Sequence, residues 1–303
     1  MPFYKLAELA YRGSVLPEWL AIKPASTAKY DKVKRTVGDL GLHTVCVEAH
    51  CPNITDCWSG GTATFMVLGD LCTRGCRFCA VSKSARGINV DMAEPEKLGM
   101  AIKEWGLNYV VITSVCRDDL EDQGAGHFAR CVAEIKMQNP NTLVELLIPD
   151  FRDDIECLRK IAEARPDVVG HNIETVRRLS PQVRDRRADY DRSLKVLGDI
   201  KALDKRIYTK SAMMLGIGES DDEVLQAMSD LRNAGVDFLA IGQYLRPSQH
   251  HIEVKEYVRP EKFESFRNEG ISLGFKYVAA GPFVRSSYKA GELFISSMIR
   301  NGR

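Results

Sequence analysis

Residues 61–79 read GTATFMVLGDLCTRGCRFC, and the fold turns on them. The first half, residues 62–70, is a short apolar run with β-branched and aromatic residues, the composition of a buried strand. The second half carries three cysteines, Cys72, Cys76 and Cys79, in a Cys-x₃-Cys-x₂-Cys spacing directly after that strand. No glycine fingerprint of the dinucleotide or P-loop type takes its place. Five similar apolar runs follow, at 109–115, 143–150, 167–175, 207–215 and 237–245. Between them lie amphipathic segments near 94–105, 125–138, 153–164, 190–203 and 221–234. In the last of these Val224, Leu225, Met228 and Leu231 recur at helical spacing, and Gly235 reads as its stop.

Six strands separated by helices predict right-handed βαβ units and a parallel sheet. Polar residues close several runs: Asp70, Thr113, Ser114, Asp150, Asn172, Glu174, Glu219 and Gln243. In a parallel barrel such ends converge on one face, where active sites are built. The fold expected is therefore α/β, a partial (β/α)6 TIM-like barrel. Residues 1–61 form an N-terminal extension, 62–245 the barrel, and 246–303 a C-terminal extension, the two extensions covering its ends.

The chain has 303 residues, of which 45% are hydrophobic and 27% charged, with a formal charge of +1. That composition is globular, and the balanced charge gives no general pull toward nucleic acid or an anionic membrane. No apolar stretch is long enough for a membrane span, and the N-terminus carries neither a signal-peptide nor a transit pattern. The expected location is the cytoplasm. Nine cysteines, an odd number in a chain of this kind, argue against a disulfide scaffold. Six of them lie between Cys46 and Cys79, a clustering that points to metal.

Three thiolates on the tight loop at Cys72, Cys76 and Cys79 can hold three corners of a four-iron cluster and leave one iron open to a substrate or cofactor. A structural zinc site would want a fourth, closed ligand, and no second Cys-x₂-Cys pair lies nearby. The earlier triplet, Cys46, Cys51 and Cys57, has wider gaps. Its spacing suits a second cluster on a looser loop, while zinc or unrelated thiols stay open as readings. His50 beside it reads as exposed or supporting rather than as a ligand. Cys131 and Cys157 fall within helical patterns and read as small buried thiols. Cys116 follows a strand end at the barrel mouth and takes the same reading, with a functional role left open. Arg117 and Asp118 read equally as pocket polarity or as a structural ion pair, and the arginine-rich piece 184–192 as a solvated, charge-mixed face.

Cys-x₃-Cys-x₂-Cys after the first strand resembles the radical S-adenosylmethionine superfamily, and the chain as a whole resembles the lipoyl synthase family within it. The likeness runs from about Pro17 to Gly291. It rests on both triplets and on TSVCRDDL (113–120), HNIET (171–175), KSAMMLGIGE (210–219), QYLRPS (243–248) and GPFVRSSY (281–288). The chain departs from the family at Val47, where an acidic residue is usual, and at Cys116, where aspartate is common. It departs again at Ala212, where glycine is common, and at Arg177, where proline is usual.

The resemblance implies that Cys72, Cys76 and Cys79 hold a [4Fe-4S] cluster whose open iron chelates S-adenosylmethionine. Reductive cleavage of that cofactor gives a 5′-deoxyadenosyl radical. The radical takes hydrogen from carbons 6 and 8 of an octanoyl chain. Cys46, Cys51 and Cys57 then hold an auxiliary [4Fe-4S] cluster consumed as the sulfur source. Ser286 is its fourth, exchangeable ligand and Ser287 the alternative; a serine oxygen is a hard, poor match to cluster iron. Asn172, Glu174 and Lys210 are implied to contact S-adenosylmethionine, with Glu219, Gln243 and Arg246 as weaker candidates. Implied partners are an octanoylated lipoyl carrier domain or glycine-cleavage carrier protein, a flavodoxin- or ferredoxin-type electron donor, and an iron–sulfur carrier that rebuilds the auxiliary cluster. Neither nucleic acid nor membrane is expected, and the chain is expected to act as a monomer. Other sulfur-inserting or methylthio-transferring radical enzymes are the nearest alternative. An iron–sulfur electron carrier is the alternative from a different class.

Overall fold

The structure is a computed structural model, and it describes residues 17–20, 27–287 and 295–300. In chain order the elements open with α1 (Ala28–Asp39), β1 (His43–Thr44), α2 (Val45–Glu48), α3 (Ile54–Ser59) and β2 (Thr64–Val67). Next come α4 (Glu94–Trp105), β3 (Tyr109–Ser114), α5 (Ala125–Gln138), β4 (Leu143–Leu147), α6 (Ile155–Glu163) and β5 (Val168–Gly170). The chain continues through α7 (Ser180–Val183), α8 (Tyr190–Leu203), β6 (Tyr208–Leu215), α9 (Asp221–Asn233), β7 (Phe238–Gln243), α10 (Pro260–Ser272) and β8 (Tyr277–Gly281).

The strands form one eight-stranded sheet in the order β1 to β8. β1 pairs antiparallel to β2, and every later pair is parallel. Among the described residues the sheet does not close, and β1 and β8 are its two edges. The partial barrel read from the sequence is thus what forms. It carries one parallel strand more than the six expected, because residues 246–303 contribute α10 and β8 to the sheet.

Each helix forms for reasons visible in its sequence. In α9 the Ser220 hydroxyl accepts from the Glu223 amide while the Glu223 carboxylate accepts from the Ser220 amide, a reciprocal cap. Val224, Ala227, Met228 and Leu231 face the sheet, and Gly235, at φ 82°, ends the turn where a side chain would be strained. Outward-facing strand residues meet the helices in two cores. One gathers Phe65, Ile112, Val144, Leu146 and Val169 against α4, α5 and α6. The other gathers Met213, Leu215, Leu239, Ile241 and Val278 against α8, α9 and α10. Each large side chain fully buried there, such as Phe128, contributes about 1.5–3 kcal/mol.

Inward-facing residues differ by level. At the bottom of the barrel Tyr109, Val111, Leu143, Val168 and Phe238 pack against Ile295 and Ile299, on the helical residues 295–300. Above them, the alternation that turns Val169, Met213, Leu239, Ile241 and Val278 outward leaves Gly170, Ala212, Ala240, Gly242, Ala279 and Gly281 facing in. That run puts small side chains on the inner face of β5–β8, and the Val284 carbonyl packs directly on Gly242.

Candidate iron–sulfur site

The second triplet sits on the loop after β2. Its backbone is pinned from three directions. Cys72 donates to the Ser82 carbonyl (2.8 Å), Thr73 to that of Cys116 (3.0 Å) and Arg77 to that of Val183 (2.9 Å). Between the first two cysteines, Arg74 turns inward and is 5% exposed. Its guanidinium makes two bonds to Asp118 (2.9 and 3.0 Å) and two to Asp150 (2.7 and 2.8 Å), at the ends of the loops after β3 and β4. Arg187 bonds Asp185 (2.8 Å) and the Thr73 carbonyl (2.5 Å), and Asp185 in turn accepts from the Gly75 amide (2.6 Å). Burial works to raise the Asp118 carboxyl, but Arg74 beside it holds it well below the usual carboxylate range. The pairing read from the sequence between Arg117 and Asp118 is not formed. Arg117 pairs with Asp119 at 2.9 and 3.0 Å, and Asp118 faces Arg74, Arg152 and Arg187.

Two sulfurs of this triplet have a peptide N–H aimed at them: Arg74 N–H meets Cys72 (3.4 Å) and Asp185 N–H meets Cys76 (3.3 Å). The Cys116 thiol and backbone beside Cys72, with the Arg74 amide and charge, lower it to about 6 against its burial. Burial raises Cys76, and it pushes Cys79 up to about 12. Metal binding deprotonates such thiols outright, so those protons leave when iron arrives. The N–H groups already directed at sulfur are the donors a thiolate cluster uses, and this donor set fits one.

The first triplet occupies the short helices α2 and α3. Cys46 and Cys57 are buried and Cys51 half-buried, in a small core with Val33, Ile54 and Trp58. Burial pushes Cys46 up to about 12 and raises Cys51, which the Arg285 charge opposes. The buried Trp58 indole nitrogen has no partner of proper geometry, yet it lies beside the Cys46 sulfur. A cluster edge would give that stranded donor an acceptor. Among the described residues no three His, Cys, Asp or Glu converge tightly enough for a single metal ion. A polynuclear cluster does not ask for that convergence, because each thiolate takes its own iron.

The C-terminal segment reaches this triplet. Asn53, between Cys51 and Cys57, donates to the Phe283 carbonyl (2.7 Å), and Arg285 lies close enough to Cys51 to act on its charge. The segment crosses the mouth over Gly242, where a Cβ would collide with the Val284 carbonyl. Ser286 and Ser287 follow directly; Tyr288 lies outside the described residues, as does the end of the family likeness at Gly291.

Asn172 and Glu174 come together, the Asn172 side chain lying close enough to the Glu174 carboxyl to oppose its rise. They do so on a turn rather than on an extended strand. β5 ends at Gly170, and Glu174 has φ 66°, a strained conformation for a side-chain-bearing residue. Burial raises the Glu174 carboxyl, and its charge is felt at Cys76 and Cys79, which places it beside the second triplet. Lys210 lies lower in the lumen, where its ammonium is held by Glu145 (2.9 and 3.0 Å) and Tyr109 donates to the same carboxylate (2.5 Å). Three weaker candidates serve the backbone. Glu219 accepts from the Gly216 and Ile217 amides, Gln243 bonds the 256–258 segment, and Arg246 donates to the His251 and Gln249 carbonyls. His50 is exposed, and Cys131 and Cys157 are buried. Sequence reading missed the Arg74–Asp118–Asp150 fork altogether, and it left Cys116 without its partner.

A partial α/β barrel with this cysteine loop at its mouth defines a radical S-adenosylmethionine enzyme, and residues 66–231 match the radical SAM superfamily. Among solved structures, methylornithine synthase (PylB) aligns at TM-score 0.53 with 13% identity, covering 91% of this chain and 81% of that one. Streptococcus suis SuiB bound to S-adenosylmethionine aligns at 0.55 with 11% identity, covering 75% and 53%. At such identities these likenesses speak for the fold alone.

The chain belongs to the lipoyl synthase family. It is 56% identical to a lipoyl synthase of Anaeromyxobacter sp. (strain Fw109-5) over 92% of this chain and 95% of that protein. It is 52% identical to the chloroplastic lipoyl synthase 1 of Zea mays over 95% of this chain and 82% of that one. No helix among the described residues is long and apolar enough to cross a membrane.

Proposed function

We propose that this chain makes protein-bound lipoyl groups by inserting sulfur at carbons 6 and 8 of an octanoyl chain carried on a lysine. The observation that carries the reading is kinship along nearly the whole chain, 56% identity over 92% of it, with every cysteine of both triplets present. When bound, the clusters and S-adenosylmethionine supply a one-electron cleavage that yields a radical able to take hydrogen from unactivated carbon, and the sulfur itself.

The protein's own residues do the holding and aiming. Cys72, Cys76 and Cys79 would hold the cluster with the open iron, and the Arg74 fork to Asp118 and Asp150 keeps their loop in register with β3 and β4. Cys46, Cys51 and Cys57 would hold the auxiliary cluster. The approach of the 281–287 segment to Cys51 supports Ser286 as its fourth ligand, with Ser287 as the alternative. Asn172 and Glu174 form the polar wall for S-adenosylmethionine, with Lys210 below them. The small residues Gly170, Ala212, Ala240 and Ala279 leave room inside the barrel for the cofactor and the acyl chain.

The substrate is an octanoylated carrier protein; a lipoyl domain or a glycine-cleavage carrier fits the reaction. The electron comes from a flavodoxin- or ferredoxin-type donor, and an iron–sulfur carrier rebuilds the spent cluster. We place the enzyme in the cytoplasm, as a monomer. The test is the iron and sulfide content of anaerobically reconstituted protein beside a Cys46/Cys51/Cys57→Ala variant, followed by lipoylation of an octanoyl-lysine peptide. About eight irons falling to about four supports two four-iron clusters. About four in both proteins withdraws the sulfur-donor role of the first triplet, and zinc in place of iron overturns the whole reading.

A further inference from the structure

β2 ends at Val67, and the chain reaches Cys72 through a turn at Leu68 (φ 68°) and Gly69 (φ 86°). The left-handed region is natural for glycine, and at Gly69 a Cβ would strike the Ile88 side chain. For leucine it is a strained conformation, one that persists only where the surroundings fix it. Leu68 is buried and fixed at three points. Its amide donates to the Glu94 carboxylate (3.0 Å), its carbonyl accepts from the Arg117 guanidinium (3.0 Å), and its side chain lies over Gly124, where a Cβ would collide with it.

The first of these bonds has further support behind it. Glu94 opens α4 and is buried, and the oxygen that holds Leu68, Oε2, also meets Nε2 of the buried His127 on α5 (2.6 Å). Arg130, one turn on, reaches the other ring nitrogen, Nδ1 (3.0 Å). A guanidinium can only donate, so Nδ1 accepts and the Nε2–H donates to Glu94. Two donors thus converge on one buried carboxylate oxygen, four residues before the first cysteine of the loop in the case of Leu68.

We propose that Glu94 is a positioning residue for S-adenosylmethionine binding: backed by His127 and Arg130, it holds Leu68 in the turn that aims the cysteine loop, and so the open iron, at the cofactor. The inference rests on the assignment of Cys72, Cys76 and Cys79 to the cluster with the open iron. Without the carboxylate, the Leu68 amide is buried with no acceptor, and leaving the left-handed region relieves both that loss and the strain. The bonds that pin the loop itself, from Cys72, Thr73 and Arg74, do not pass through Glu94. The loop therefore keeps its iron while its aim changes.

The experiment titrates S-adenosylmethionine into the reduced, anaerobically reconstituted full chain and follows by electron paramagnetic resonance the signal that it shifts. Iron content and amide exchange of the peptide carrying Leu68 are read on the same samples. Glu94→Ala should keep its iron, weaken cofactor binding about tenfold and speed that exchange about tenfold. Glu94→Gln keeps an oxygen for both donors and stays within about threefold of wild type on both readouts. His127→Ala leaves the Leu68 bond with one support fewer, and should weaken binding about threefold. Unchanged affinity in folded Glu94→Ala, or in His127→Ala where Glu94→Ala does not fold, overturns the proposal. Loss of iron in Glu94→Ala makes Glu94 an assembly residue and overturns it too, as does a Glu94→Gln protein no better than Glu94→Ala. A wild-type signal that ignores S-adenosylmethionine brings down the cluster assignment and the proposal with it, and is told apart because it appears before any substitution.

Discussion

The two cysteine triplets are chemically alike and physically opposite. The second lies on a loop whose three cysteines are half-buried, within a web of arginines and carboxylates that reaches three other loops. The first lies in two short helices, two of its three sulfurs buried in an apolar core, with Arg285 from the far end of the chain beside Cys51. A loop fixed by charge keeps its shape whether or not a metal is present, which suits a cluster that must persist and receive a cofactor. A site held by small helices and a crossing tail can come apart at one contact, which suits a cluster that is consumed. The difference teaches that the same three ligands can be built for permanence or for turnover by what surrounds them.

Function separates the triplets most sharply. Cys79→Ala should abolish S-adenosylmethionine cleavage, measured as 5′-deoxyadenosine formed, while Cys51→Ala should spare cleavage and abolish lipoyl product. Equal loss of both activities in a folded Cys51→Ala protein would erase the distinction.

Stability comes next. Arg74→Met removes the one buried cation shared by Asp118 and Asp150, leaving Asp118 to Arg152 and Arg187 and Asp150 to Arg192 at 3.7 Å, and should cost about 3 kcal/mol in denaturant unfolding. The irons of the second triplet should be lost with it and those of the first retained. A cost under about 1 kcal/mol would mean that the fork does not organise the loop.

Thiol chemistry in cluster-free protein offers a third contrast. With its thiol lowered to about 6, Cys72 is mostly thiolate at neutral pH, whereas Cys46 and Cys79, up at about 12, are protonated. Alkylation at pH 7, read by mass spectrometry, should therefore modify Cys72 at least about tenfold faster than either. That advantage should fade as pH falls below about 6 and Cys72 takes up its proton. Uniform labelling would show that the two environments do not differ as described.

The smallest effect is expected at Gly242→Ala, whose methyl meets the Val284 carbonyl. Overpacking of this kind costs about 1–3 kcal/mol. Here it should be taken up by shifting the 282–287 segment, lowering lipoyl formation more than cofactor cleavage.

The helices were legible because their apolar spacing and caps are local: the expected 94–105, 125–138 and 190–203 coincide with α4, α5 and α8. β8 was not, because Tyr277–Gly281 reads YVAAG, too small and too weakly apolar to announce a buried strand. It becomes one only by pairing with β7. β5 read too long, since the left-handed turn at Glu174 is enforced by bonds to β6 that lie far away in sequence. The cysteines of the site were plain from their spacing, a property of one loop. The fork at Arg74 was hidden because its acceptors stand 44 and 76 residues away. No local pattern tells an arginine which of many carboxylates it will meet.

The unclosed sheet has a mechanical consequence. In a sealed barrel every strand is laced to two neighbours, and the girth is set by geometry. Here β1 and β8 are the unjoined edges among the described residues, like the lips of a slit purse. The first triplet hangs from one lip and the 281–287 segment from the other, and the Asn53 amide clasped to the Phe283 carbonyl is a stitch between them. Parting the lips breaks that stitch and draws Arg285 away from Cys51 in a single movement. The opening through which spent iron would leave and fresh iron enter is thus tied to the position of the tail that crosses it.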